Sequence, residues 1–397
     1  MTNTLRIKAA PQIPSEDEPP GARVHRLTVV YPEPDGSEAG TRSVVLQRHP
    51  VRIGRRGFVP GPLAFDDPRM SREHALLAWD EARGSFVAYD LSSHNGLFVD
   101  GARVDRAILA DQSVLRLGST LLVFEDCEAH DDRWKPSSLS LGRSRCMRRV
   151  QKELATVGRS ATSVLLLGEA GVGKEHVARE LHAASHRKGP LVAVDCGALL
   201  ESTAERELFG HVGATGASQG RLAAAHGGTL LLDEIGAMPL ALQPELLRAL
   251  VTRRVRPVGA THDIQVDLRV VASTRHDLAA AVQTGTFDGD LRAHLAAWML
   301  RIPPLRERKD DVLALARTFA RATGHEGDFS ADAAEALLVH RWPSNVRELE
   351  HAIVAARLRV GNATICRRDL AVPAPAMADR SEDEGLPPPV ARRSAAA

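Results

Sequence analysis

The 397-residue sequence has only four cysteines, Cys127, Cys146, Cys196 and Cys366, and they are widely scattered. They form no CxxC pair and no even framework, which speaks against a disulfide scaffold and suits a reducing, cytoplasmic setting. No apolar run approaches the ~20 residues that a membrane helix needs. The N-terminus lacks the apolar core of a secretion signal. Membrane insertion and secretion are therefore not expected. Charge is balanced: 51 Lys and Arg against 50 Asp and Glu leave +1. A globally basic nucleic-acid binder is thereby disfavoured, while a local patch stays open. Lysine is scarce, six in all, and arginine greatly outnumbers it. A lysine inside a motif therefore carries weight.

What is present is enough for real cores: 44% of residues are hydrophobic, and the length suits two or three domains. Residues 1–24 are polar and Pro-rich ("PQIPSEDEPPG") and read as a disordered segment. Over 25–126, short apolar runs such as "RLTVVY", "HALLAWD", "SFVAYDL" and "TLLVFE" are broken by Gly, Pro, Asp and Asn. That spacing predicts a β-sandwich. Residues 127–139 read as a linker. From 140 to 307, helical stretches (Met147–Thr156, Lys174–Ala184) alternate with the runs "SVLLLG", "LVAVDC", "TLLLDEIG" and "LRVVAST". Alternation of this kind predicts a parallel sheet covered by helices. Residues 308–370 read as all helix, and 371–397 as a disordered Pro- and Ala-rich tail.

Three fragments of the β region carry chemistry: "IGRR" (Ile53–Arg56), "MSREHA" (Met70–Ala75) and "DLSSHNGLFVDG" (Asp90–Gly101). Each alone is ordinary turn chemistry. Together they offer the Arg55 fork, the Ser71 hydroxyl and the Asn95 amide, a set suited to a phosphate and a peptide backbone. In order, Gly54-Arg55, Ser71-Arg72-Glu73-His74 and Asn95-Gly96 resemble the forkhead-associated (FHA) domain, a phosphothreonine-peptide reader. The resemblance implies that Arg55 and Ser71 hold phosphate with Arg72 helping. It assigns His94 and Asn95 to the loop that holds the peptide, and makes His74 a structural brace.

In the second half, "LLLGEAGVGKEH" (Leu165–His176) is an apolar strand, a Gly-rich turn and a helix start. It fits G-x-x-x-x-G-K, the loop whose N–H groups cradle phosphates. The candidate contacts are Gly168, Glu169, Ala170, Gly171, Val172, Gly173, Lys174 and Glu175, with Lys174 reaching the β/γ-phosphates. Glu175 stands where the usual Ser or Thr would bind Mg²⁺. Some 60 residues on, "GGTLLLDEIG" places Asp233 and Glu234 at the end of a buried run. Asp233 is the candidate Mg²⁺ ligand, and Glu234 the group that polarises water.

With "ELFGH" (Glu207–His211), "RIPPLRER" (Arg301–Arg308) and "WPSNVRELE" (Trp342–Glu350), residues 140–370 resemble the central AAA+ domain of sigma-54-dependent transcriptional activators. The resemblance implies an ATPase that forms a ring and remodels sigma-54 RNA polymerase. It makes Thr274 a first nucleotide sensor and Arg347 a second. The whole chain then reads as a multidomain protein: an FHA β-sandwich, an α/β P-loop AAA+ domain and a C-terminal α-helical lid.

Four departures shape the functional expectation. The family's sigma-54 contact loop, Gly-Ala-Phe-Thr-Gly-Ala, is Gly213-Ala214-Thr215-Gly216-Ala217 here, without the aromatic and about two residues short. The family's two arginines that serve the neighbouring subunit's ATP are Asp288 and His294, with Arg292 close by. The Asn ahead of "ELFGH" that couples nucleotide to loop is Asp195. No further helix pair of a DNA-binding domain is detected after the lid. These suggest a cytoplasmic regulator that binds ATP–Mg²⁺ and a phosphothreonine protein but hydrolyses weakly or not at all, acting within homo- or hetero-oligomeric rings. Two other readings stand beside it: an active sigma-54 activator working without its own DNA-binding domain, and a phosphopeptide adaptor with a structural AAA+ domain.

Overall fold

A computed structural model describes residues 23–32, 43–128, 141–213, 216–324 and 327–373. The expected disordered segment before residue 23, the linker from 129, and the tail beyond 373 lie outside the described residues. The first unit contains β1 (Arg23–Tyr31), β2 (Ser43–Leu46), β3 (Val51–Arg55), β4 (Ala64–Phe65), β5 (Ala75–Asp80), β6 (Ser85–Asp90), β7 (Leu97–Val99), β8 (Ala102–Val104), β9 (Arg106–Ile108), β10 (Val114–Leu117) and β11 (Thr120–Glu128). A six-stranded sheet, β2-β1-β11-β10-β7-β8, faces a five-stranded one, β4-β3-β5-β6-β9.

The two-residue side-chain period decides which face of each strand is buried. In β11, Leu122 and Phe124 enter the sandwich core with Leu27, Ile53, Leu77 and Phe86. Their neighbours Leu121 and Val123 point the opposite way, into a second core that contains lid residues. That explains why "TLLVFE" is apolar without alternation: both of its faces are covered. β11 also runs to Glu128, beyond the expected end at 126, because Cys127 and Glu128 still pair with Val24 and Arg23.

The second unit follows as α1 (Arg145–Val157), β12 (Val164–Leu167), α2 (Lys174–Ala184), β13 (Leu191–Asp195), α3 (Glu201–Phe209), the hairpin β14 (Gly210–Gly213) and β15 (Gly216–Gln219), and α4 (Arg221–Ala224). Next come β16 (Thr229–Asp233), α5 (Gln243–Thr252), the short pair β17 (Arg254–Val255) and β18 (Ile264–Gln265), β19 (Arg269–Thr274), α6 (Leu278–Gln283), α7 (Gly289–Leu295) and β20 (Trp298–Arg301). The central sheet, β13-β16-β19-β12-β20, is parallel throughout. Arg269 is buried beneath it and donates to the carbonyls of Val157, Gly158 and Leu181 at 2.9, 2.6 and 3.2 Å. It thereby satisfies buried carbonyls at the ends of α1 and α2, as a buried helix end requires.

The lid is α8 (Lys309–Ala322), α9 (Ala331–Val339) and α10 (Asn345–Val360). Its core continues past the expected end at 370: Val372 is buried there, and its carbonyl accepts from Arg367 at 2.7 Å. The same core includes Val30, Val114, Leu121 and Val123 of the sandwich. Around its rim, Tyr31 Oη donates to the Phe329 carbonyl at 2.8 Å, and Arg116 pairs with Glu335 at 2.8 Å. Lys309 N donates to Gln112 Oε1 at 3.0 Å. The sandwich and the lid thus share one apolar core with a polar rim.

Candidate nucleotide and phosphopeptide sites

The carboxyl ends of β12, β16 and β19 bring Gly168, Asp233-Glu234 and Thr274 together, where open α/β sheets hold ligands. The loop from Gly168 to Gly173 turns sharply, with Gly171 and Gly173 at φ +72° and +102°. Among the described residues, the backbone N–H groups of Glu169 to Gly173 donate to no protein acceptor. They lie at the N-terminus of α2, so the loop is a set of oriented donors suited to phosphate.

Lys174 is buried, and its ammonium donates to the carbonyls of Gly168 and Glu169 at 3.0 and 3.3 Å and to Glu234 Oε1 at 3.0 Å. Glu234 holds a left-handed backbone, φ 49°. For a residue with a side chain that conformation costs on the order of 1 kcal/mol, and it is typical of functional sites. Its other oxygen, Oε2, accepts from Arg275 N at 3.4 Å and lies 3.9 Å from Arg275 Nε. Asp233 accepts from the Ser273 hydroxyl, leaving carboxylate capacity for a cation. Thr274 is buried, and its hydroxyl accepts from His276 N at 3.0 Å. Glu175 points to the surface and pairs with Arg179 at 2.6 Å. Cys196, packed against the site, has its thiol pushed up to about 12 by burial and by Asp195, Asp233 and Glu234.

The lid closes this loop from one side. Asn345 is fully buried at φ 55°; its Nδ2 donates to Glu169 Oε2 at 3.1 Å and to the Ala170 carbonyl at 3.0 Å. Its Oδ1 accepts from Leu305 N at 2.8 Å. Val346 N donates to the Gly171 carbonyl at 3.0 Å, and Arg308 to the Val172 carbonyl at 2.8 Å. Arg306 grips Glu169 with two bonds of 2.9 and 2.6 Å, holding its carboxyl below the usual range. A Cβ on Gly171 would sit 2.2 Å from the Ser344 carbonyl, so no larger residue fits, and 3.2 Å from Arg347 Cβ. Arg347, the second expected sensor, therefore stands beside the loop. Asn345, Arg306 and Arg308 were not singled out from sequence, although all three lie in the quoted motifs "WPSNVRELE" and "RIPPLRER".

At the loop end of the sandwich, Arg55 Nε donates to the Met70 carbonyl at 3.0 Å, and among the described residues its terminal nitrogens have no protein acceptor. The Ser71 hydroxyl accepts from His94 N at 3.0 Å. Asn95 Nδ2 donates to the Arg69 carbonyl at 2.5 Å. Arg72 lies over the Phe58 ring at 4.9 Å. His74 is buried; its Nδ1 accepts from Ser71 N at 3.1 Å and its Nε2 meets the Gly96 carbonyl at 3.1 Å. Those partners require the neutral ring protonated at Nε2, and burial pushes its pKa down. The expected phosphopeptide residues are thus neighbours, tied together by His74.

The sigma-54 interaction domain matches residues 140–301, the FHA domain residues 51–118, and the AAA+ ATPase lid domain residues 306–385. The chain carries an FHA domain, a sigma-54 interaction domain and an AAA+ lid. The nitric oxide reductase transcription regulator NorR2 of Cupriavidus necator is 43% identical over 267 residues, 64% of this chain and 51% of that protein. The transcriptional regulatory protein FlbD of Caulobacter vibrioides is 44% identical over 227 residues, 54% of this chain and 50% of that one. Crystal structures of NtrX from Brucella abortus are similar too. The ADP complex gives a TM-score of 0.54 at 31% identity, covering 58% of this chain and 55% of that one. The ATP complex gives 0.54 at 32% identity, covering 61% and 57%. The chain spans about half the length of the curated relatives it matches.

Within the sigma-54 interaction domain, the departing residues have clear surroundings. β14 and β15 pair up to Gly213 and Gly216; Ala214 and Thr215, between them in sequence, lie outside the described residues. Ala217 pairs with Val212, which is half exposed. The base of this hairpin is fixed by Val212 N donating to the Val258 carbonyl and Val258 N to that of Gly210, both 2.9 Å. Asp288 caps α7, its carboxylate accepting from Leu291 N at 2.7 Å. His294 lines a cleft of about 550 Å³ with Thr162, Ser163, Leu250, Arg253 and Val270. Those neighbours mark the amino ends of β12 and β19, away from the nucleotide loop. Arg292, on α7, makes no side-chain hydrogen bond among the described residues. Asp195 bonds Gly197 N at 2.9 Å. No helix among the described residues is long and apolar enough to cross a membrane.

Proposed function

We propose that this chain is an ATP-binding, phosphothreonine-responsive regulator of the sigma-54 activator type that hydrolyses ATP slowly or not at all. The observation that carries this reading is an asymmetry. Lys174, Asp233, Glu234, Thr274 and Arg347 converge on one donor-rich loop, whereas neither position expected to serve the neighbouring subunit's ATP carries a guanidinium. Asp288 is a helix cap, and His294 replaces the second arginine. An arginine finger is worth on the order of 10³–10⁵ in rate, so two such losses outweigh a complete binding site.

The donor set fits ATP with Mg²⁺. The loop N–H groups and Lys174 would take the phosphates, and Asp233 would take the metal, which neutralises phosphate charge when bound. The similar NtrX structures were crystallised with ADP and with ATP, which supports a nucleotide here. The phosphothreonine response would run through the shared core: the FHA sandwich rests on lid helices, and the lid grips the P-loop. Expected partners are a phosphothreonine protein, sigma-54 RNA polymerase, and other copies or relatives in a ring.

One observation favours the alternative, an active ATPase. Arg275 lies in cis beside Glu234, and a cis arginine serves as finger in some phosphoryl-transfer enzymes. The deciding experiment pairs an ATP titration with a turnover assay on the full chain. Micromolar binding lost in Lys174→Ala, with turnover near background, is expected. Binding that survives Lys174→Ala would sink the nucleotide reading.

A further inference from the structure

The phosphate clamp has more positive charge than one phosphothreonine can use. Contacts string four arginines across the loop end of the sandwich. Arg72 lies on Phe58. Arg55 is tied to Met70. Arg69 is tied through its carbonyl to Asn95. Arg103, in β8, covers the turn that follows Asn95: a Cβ on Gly96 would meet Arg103 Nε at 2.4 Å and Cζ at 3.0 Å. Gly96, at φ +80°, leaves that guanidinium room to lie against the backbone.

The carboxylates nearby are committed elsewhere. Glu73 pairs with Arg52. Asp66 pairs with Arg56 at 3.1 Å. Asp67 is buried and accepts from Ser119 N at 2.7 Å and the Thr120 hydroxyl at 3.0 Å. Asp90 turns onto Ser93 N. Among the described residues, Arg55, Arg69, Arg72 and Arg103 have no carboxylate within ion-pair distance. A phosphothreonine brings about −1.5 to −2 charge at neutral pH, which Arg55 and Arg72 with Ser71 can absorb. Arg69 and Arg103 remain, one bonded through its carbonyl to Asn95 and the other against Gly96.

We propose that the ligand of this site carries a second anionic group, a carboxylate or a second phosphate, which Arg103 reads as the peptide passes the Asn95-Gly96 turn. This rests on the phosphopeptide reading and narrows its ligand class. Arginine suits the task, since its planar fork engages either anion with two parallel hydrogen bonds. An uncommitted guanidinium at the rim also raises the encounter rate with acidic peptides, an effect that salt screens.

The test is calorimetric titration of the full chain with three peptides of one sequence: singly phosphorylated, with an added Asp or Glu, and with a second phosphothreonine. The second anion is scanned about five positions to each side, since an extended peptide advances ~3.3 Å per residue. At the matching position the doubly anionic peptide should bind about tenfold tighter. Arg103→Ala should erase that gain and leave the singly phosphorylated peptide unchanged. Arg103 is exposed, in a strand at the sheet edge, so the variant keeps its fold. A gain from either anion supports the inference, and the comparison tells carboxylate from phosphate. Equal affinity for all three peptides, or a gain that survives Arg103→Ala, overturns it while the clamp reading stands. Equal binding of unphosphorylated peptide overturns the clamp itself.

Discussion

Asn345 is the sharpest place to perturb the link between lid and nucleotide loop. Its amide makes three hydrogen bonds in full burial: from Leu305 N, to the Ala170 carbonyl, and to Glu169. Asn345→Ala leaves the Leu305 N–H buried and unpaired, at about 1–3 kcal/mol. It removes two bonds to the loop, at about 1 kcal/mol each, with Arg306 still holding Glu169. It also puts alanine at φ 55°, at about 1 kcal/mol. The sum is ~4–6 kcal/mol. The two loop bonds, ~2 kcal/mol of it, are realised only when the lid touches the loop, which corresponds to about thirty-fold in ATP affinity. Asn345→Asp separates the two parts. It keeps an acceptor for Leu305 N–H and tolerates the backbone, yet loses the donors and faces Glu169. The assay is titration with a fluorescent ATP analogue beside thermal unfolding. Both variants should lose ATP affinity, with Asn345→Asp less destabilised. Unchanged ATP affinity in Asn345→Ala would refute the clasp.

Two further outcomes follow from the geometry. Burial pushes the His74 pKa below its usual 6.5, so its neutral ring stabilises the fold fully above pH ~6.5 and less as pH falls through the lowered value. Hydrogen-exchange protection over residues 71–98, corrected for the intrinsic rate at each pH, should therefore fall on acidification, and less steeply in His74→Gln; equal slopes would contradict the neutral brace. Glu335 pairs with Arg116 at the sandwich–lid rim, and Arg116 lies 3.7 Å over Phe98. Glu335→Ala should diminish any effect of phosphopeptide on ATP affinity while each ligand binds alone as before. An undiminished effect would mean that coupling takes another route.

The sequence made local features legible and hid those built across distance. Gly168 to Lys174 and Asp233-Glu234 announce themselves because each motif is contiguous and sits at a strand end. The clasp does not, since Asn345 meets Glu169, and Arg308 meets Val172, from more than a hundred residues away. The FHA residues were readable in order, but the reason for His74 needed its two partners, Ser71 N and Gly96 O. The sandwich–lid core was invisible for a different reason: Val114, Leu121 and Val123 look like ordinary sandwich residues, and only the strand period shows that they face outward. Asp288 read as a lost arginine, and its role as the α7 cap came from the structure.

The central claim is nucleotide binding without appreciable turnover, and steady-state ATPase at high protein concentration tests it most directly. The full chain is assayed with and without a phosphothreonine peptide, and Glu234→Gln serves as the blank. Turnover indistinguishable from that blank, alongside saturable ATP binding, is the predicted result. Robust turnover abolished by Glu234→Gln would contradict it.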